Sequence, residues 1–226
     1  MDLERSVLRE PHSSLHNQPH KEYLMAETER RPPGYELFFA PLQIALNPSE
    51  HERVQFAYFA SKYGHAGQVR DDGYRYFDHP KAAAWIYISE LNGRDAHIII
   101  NALLHDISED AYLLSPYRIG MNFGEEIALD LRALTKLPRG KETTREYLER
   151  VIARGPRTIV VKLCDRLHNL RTLHRRPEEK RLAQIEESLS YHVPLLIPTL
   201  RTYGTPWIMY ADALEQKIAE AIAQYQ

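Results

Sequence analysis

Three observations predict an all-α fold for this chain. No stretch of useful length alternates apolar and polar residues with the period of a strand. Apolar residues recur instead at three- and four-residue steps, and the segments so marked are bounded by helix starters and stoppers. No internal repeat points to a solenoid. With 226 residues, 43% of them hydrophobic, the chain is long enough to bury one substantial core. One helical domain is expected over residues 41–226, after a partly flexible extension over residues 1–40.

The extension is polar and carries His12, His16 and His20 among Pro11 and Pro19. Pro19 breaks any helix that would align the three imidazoles, so metal binding is not assigned there. Residues 35–46 are more apolar, and the sequence leaves their form open. Ser49 and Glu52 fit a capping box, after which Val54, Ala57, Tyr58 and Ser61 keep helical spacing up to a stop near Gly64. A turn-rich stretch leads to His79-Pro80, and proline suits the first turn of the next helix, which should cover residues 82–91 and stop at Asn92-Gly93. Asp95 can cap the apolar run 98–104.

Ser115-Pro116 starts a further helix, Phe123-Gly124 ends it, and residues 125–134 form another. Residues 135–144 hold Lys136, Arg139 and Lys141 with Pro138 and Gly140, the composition of an exposed basic loop able to meet phosphate. Gly155-Pro156 opens a helix in which Ile159, Val160, Leu163, Leu167, Leu170 and Leu173 make the buried stripe. Lys162, Asp165, Asn169 and Thr172 line its polar face. Two more helices are expected, over 178–200, kinked or ended by Pro194 and Pro198, and over 206–224.

A formal net charge of -2 gives no overall drive toward nucleic acid or an anionic membrane, so an anionic substrate must be drawn by a local basic cluster. No run of 18 apolar residues exists, and a cytoplasmic location is expected. The single cysteine, Cys164, reads as a buried core thiol.

Chemistry concentrates in His105-Asp106-Ile107-Ser108-Glu109-Asp110, directly behind the apolar run. Charge at the end of a core helix is costly unless it is paired or binds a metal. Collected with His65 and Asp165, the His105-Asp106 pair offers two imidazoles and two carboxylates. That donor set suits a first-row divalent ion such as manganese or iron, and the lack of thiolates argues against structural zinc. Glu109 and Asp110, one turn on, are placed to move the proton of a metal-bound water. His79, His168 and His174 are left as structural or as outer contacts of the site.

The order His65-x-Gly67-Gln68-x-Arg70, His79-Pro80, Leu104-His105-Asp106-x-x-Glu109-Asp110, Phe123-Gly124, Thr135-Lys136-Leu137, then Lys162-Leu163-Cys164-Asp165-Arg166-Leu167-His168-Asn169-Leu170-Arg171-Thr172, resembles the hydrolase domain of the RelA/SpoT homologues, of the HD superfamily. The resemblance covers about residues 50–215. It implies an HD-type helical bundle, a single Mn2+ held by His65, His105, Asp106 and Asp165, and water activation by Glu109 and Asp110. Asn169 and Thr172 fall at nucleotide-contacting positions, with Arg70, Lys136 and Lys162 as phosphate or outer contacts. The implied reaction removes the 3′-pyrophosphate of ppGpp or pppGpp. Ile107-Ser108 departs from the family's usual Thr-Val, and an adenine alarmone stays open as substrate, as does another nucleotide phosphohydrolase activity. Beyond the nucleotide, a second copy of the chain or a separate alarmone synthetase toxin is left open as partner.

Overall fold

The computed structural model describes residues 32–70, 73–107, 115–138 and 140–225. Glu109, Asp110, Arg139 and the histidines of the extension lie outside the described residues. Among the described residues the architecture is all-α, and its one β feature is an isolated bridge between Val69 and Arg75.

The segment whose form the sequence left open is a short helix, α1 (Tyr35–Phe39), which buries Phe38 and Phe39. Helix α2 (Pro48–Gly64) is capped by Asn47, two residues earlier than the expected Ser49. The Asn47 side chain accepts from the Glu50 amide at 2.9 Å, and Glu50 Oε2 accepts from the Asn47 amide at 3.1 Å. Asn47 wins because Pro48 then takes the first helical turn, where its missing N–H costs nothing. Helix α3 (Asp78–Trp85) runs into a π-helical turn (Ile86–Glu90), and α4 (Ala96–Leu104) follows, its N-terminus capped by Asp95 onto the His97 amide at 2.8 Å. Then come α5 (Pro116–Phe123), α6 (Glu125–Leu134), α7 (Thr144–Ala153) and α8 (Pro156–Arg171). The chain closes with α9 (Glu178–Glu187), a second π-helical turn (Ser188–His192), α10 (Val193–Arg201) and α11 (Trp207–Ala223). Pro194 sits in the first turn of α10, and Pro198 is held inside it.

Two helices carry the centre. Helix α4 is apolar on nearly every face, with Ile98, Ile99, Ile100, Leu103 and Leu104 all buried, as expected of a helix surrounded by others. It packs against α2, α3, α6 and α8. Helix α8 likewise touches α3, α4, α7, α10 and α11, so twelve of its sixteen residues are buried, Cys164 among them. Burial pushes the Cys164 thiol up, out of the reactive range. The start of α3, the end of α4 and the middle of α8 therefore meet in the interior, and each delivers polar side chains there. No helix among the described residues is long and apolar enough to cross a membrane.

Candidate metal centre

Four side chains from these helices converge. His105, directly after α4, brings its Nε2 to 3.2 Å from Asp106 Oδ1, 3.7 Å from Asp165 Oδ1 and 3.3 Å from His79 Nε2. His79 Nε2 stands 3.0 Å from Asp165 Oδ1 and 3.4 Å from Asp106 Oδ2. One donor atom each from His79, His105 and Asp165 lies within 4.8 Å of the other two, and all three residues are buried. Asp106 faces the group with one oxygen toward each imidazole.

Outer contacts fix how the imidazoles present themselves. His105 Nδ1 lies 2.8 Å from the carbonyl of Ala102, which can only accept, so Nδ1 carries the proton and Nε2 offers a lone pair when the ring is neutral. His79 Nδ1 meets His168 Nδ1 at 2.7 Å in the interior. Burial and the nearby Arg70 guanidinium hold His168 at about 3 and His79 well below the usual imidazole range, which favours two neutral rings with one N–H between the two Nδ1 atoms. For His105, burial works downward, but Asp106 and Asp165 outweigh it and push the pKa up to about 9. Burial alone would raise Asp165. Lys162 and His105 reverse that and hold it well below the usual carboxylate range.

The donor set fits a divalent cation. Lys162 places its ammonium 2.7 Å from Asp165 Oδ2 and balances one of the two carboxylates. The second carboxylate and two imidazole nitrogens are left facing one another, and a proton on His105 is the local substitute for a metal charge.

The sequence reading put His65, not His79, among the ligands. His65 is buried but is not in the converging group; its Nδ1 donates to Gln68 Oε1 at 2.7 Å and its ring lies on Tyr76. His79 takes that position because Pro80 seats it at the start of α3, whose first turn points at α4 and α8. The available signal was the pairing of His79-Pro80 with a helix start.

Of the expected substrate contacts, three gather at Asp165. Asn169 donates to Asp165 Oδ1 at 2.6 Å and accepts from Arg70 Nη2 at 2.8 Å, while Lys162 closes the other side. Arg70 Nη1 is buried with no hydrogen-bond partner among the described residues. Thr172 spends its hydroxyl on the carbonyls of His168 and Asn169 at 3.1 Å. Lys136 stands apart from that knot, 3.8 Å from Glu187 and over the Tyr147 ring that Lys162 also faces.

A histidine-aspartate pair at a helix end, with a second histidine and a distant aspartate from neighbouring helices beside it, is a donor set able to hold a divalent cation. The HD domain family model matches residues 57–195, and the chain belongs to that family. A probable GTP pyrophosphokinase of Mycobacterium leprae is 38% identical over 63% of this chain and 18% of its own length. A guanosine-3′,5′-bis(diphosphate) 3′-pyrophosphohydrolase of Aquifex aeolicus is 37% identical over 66% of this chain and 22% of its own length. The chain thus spans about a fifth of the length of these curated relatives. The solved structure of a metazoan ortholog of SpoT that hydrolyzes ppGpp shares the fold, with a TM-score of 0.61 over 80% of this chain and 97% of its own, at 23% identity.

Proposed function

We propose that this chain hydrolyses the 3′-pyrophosphate of ppGpp or pppGpp, giving GDP or GTP and pyrophosphate, with one divalent cation, Mn2+, at the centre. The observation that carries the reading is the convergence of His79, His105 and Asp165 from three parts of the bundle, with Asp106 facing both imidazoles. These four residues would hold the ion. When bound, it supplies a water with its pKa lowered from about 15.7 toward 7 and a positive charge for the phosphoryl oxygens.

The remaining chemistry belongs to the chain. The Arg70 guanidinium, fixed by Asn169 and with its Nη1 unpartnered among the described residues, suits an anionic or hydrogen-bonding group of the nucleotide at the edge of the centre. Lys162 keeps Asp165 ionised, and so able to act as a ligand. Lys136 is a phosphate contact one layer further out, and Thr172 a nucleotide-facing position at the end of α8. Glu109 and Asp110 are assigned to take the proton of the attacking water and return one to the leaving oxygen. The names of the relatives, one of them a 3′-pyrophosphohydrolase, support the substrate class. An antidote role beside a synthetase toxin is compatible with that chemistry.

Product analysis tests the reading. Mn2+-loaded protein given ppGpp should release GDP and pyrophosphate in equal amounts. Release of orthophosphate from monoesters with ppGpp left intact would move the chain to another HD phosphohydrolase activity, and cleavage confined to the adenine counterpart would transfer the base preference.

A further inference from the structure

His65 is 3% exposed, yet its Nε2 has no hydrogen-bond partner among the described residues. Gln68 Oε1 can only accept, so the Nδ1 at 2.7 Å is the donor of that bond, and in a neutral ring Nε2 would then hold the lone pair. A bare Nε2 is what a metal ligand needs, but this one is not among the donor atoms that converge with His79, His105 and Asp165. What the ring does touch is Tyr76, stacked on it with centroids 4.6 Å apart and planes 17° from parallel. Tyr76 in turn donates its hydroxyl to Asp106 Oδ2 at 3.3 Å. The backbone ties the same pieces together. The Tyr76 amide donates to the Gln68 carbonyl at 3.0 Å and the Arg70 amide to the Tyr74 carbonyl at 2.9 Å, beside the Val69–Arg75 bridge.

We infer that His65 is a positioning residue, which through the face of its ring holds Tyr76 so that the Tyr76 hydroxyl orients the Asp106 carboxylate toward His79 and His105. The inference rests on the metal-centre reading above and adds to it. Asp106 needs such a hold because its two oxygens face different imidazoles, 3.2 Å from one and 3.4 Å from the other, and rotation of the carboxylate would withdraw both. A hydroxyl on Oδ2 stops that rotation. The hydroxyl stays in place only if its ring is backed, and His65 is stacked on that ring. Outer groups of this kind affect metal affinity about 10–100-fold.

Because the interaction is made by a ring face and not by a nitrogen, phenylalanine can replace histidine here while it could not replace a ligand. The test is Mn2+ affinity, measured by electron paramagnetic resonance of free Mn2+, for wild type, His65→Phe, His65→Ala, Tyr76→Phe, the His65→Ala/Tyr76→Phe double variant and His79→Asn, each confirmed folded by circular dichroism. His65→Phe should stay within about threefold of wild type, while His65→Ala and Tyr76→Phe should each weaken binding about tenfold. The double variant should be no weaker than the weaker single one, since both changes act through one hydroxyl. Loss of Mn2+ in His65→Phe to the level of His79→Asn would overturn the inference alone and make His65 a ligand. Unchanged affinity in Tyr76→Phe would also overturn it. A wild-type protein that takes up no Mn2+ would overturn the metal centre itself, and the inference with it.

Discussion

Lys162→Met removes the ammonium that lies 2.7 Å from Asp165 Oδ2, in a place where the two side chains are only 9% and 6% exposed. Methionine fills nearly the same volume, so the packing over Tyr147 is largely kept and the loss is electrostatic. Stranding one partner of a buried pair costs about 3–5 kcal/mol. Here the low end applies, because Asp165 keeps the Asn169 amide at 2.6 Å and the His105 ring at 3.7 Å. A loss of about 3 kcal/mol corresponds to a fall in Tm of about 6–12 °C for a domain of this size. Differential scanning calorimetry at pH 7, in chelator, should show it. Saturating Mn2+ should then narrow the gap between variant and wild type, since a bound cation resupplies positive charge beside the same carboxylate. A fall of less than about 2 °C in chelator would mean that Lys162 does not compensate Asp165, and the charge balance described for the centre would be wrong.

Two further outcomes follow from the same structure, and a third from the role assigned to Glu109. Asp130 is buried and accepts from His97, Asn101 and Arg154 at 2.8–2.9 Å; burial would raise its pKa, but these partners lower it below the unfolded value. Its contribution is therefore present above the unfolded pKa of about 3.9 and lost as pH falls through the folded one. Asp130→Asn should cost about 2–3 kcal/mol at pH 7 by urea denaturation, with the difference shrinking below about pH 4. Gly93→Ala would drive a methyl group into the Tyr87 ring, whose hydroxyl accepts from the Asp95 amide at the start of α4. A loss of about 1–3 kcal/mol should appear in the same assay. Glu109→Gln should keep Mn2+ affinity while lowering kcat by about 10²–10⁴-fold, since an amide cannot take a proton from water; wild-type turnover would remove Glu109 from its assigned role.

The helices were legible in the sequence where a local signal was enough. Asp95, Ser115-Pro116, Gly124 and Gly155-Pro156 mark boundaries that the structure keeps, because caps and breakers act within one turn. Helix α7 carries such a signal too, a capping box between Thr143 and Glu146, but the basic loop was carried through Thr144 and hid it. The two π-helical turns have no signature in composition, and tertiary packing decides them.

The site was legible in its second half and not in its first. His105, Asp106 and Asp165 stand out because charge follows apolar runs in α4 and α8. His65 and His79 are 14 residues apart in a turn-rich stretch, and the one local signal, Pro80 at a helix start, marks where a helix begins and not which imidazole reaches α8. That is fixed by the packing of α3 against α4 and α8, a set of contacts made only on folding. The Lys162–Asp165 pair had the same ambiguity. Helical spacing put both on one face, but only the burial of α8 turns that face inward.

Titration of Mn2+ into metal-stripped wild type and His79→Asn is the most direct trial of the centre. Wild type should bind one ion per chain, and the variant should lose that binding by at least about a hundredfold, beyond what outer-contact changes produce. Equal affinity in the two proteins would contradict the account, because the histidine brought to Asp165 by the fold would then not be holding the ion.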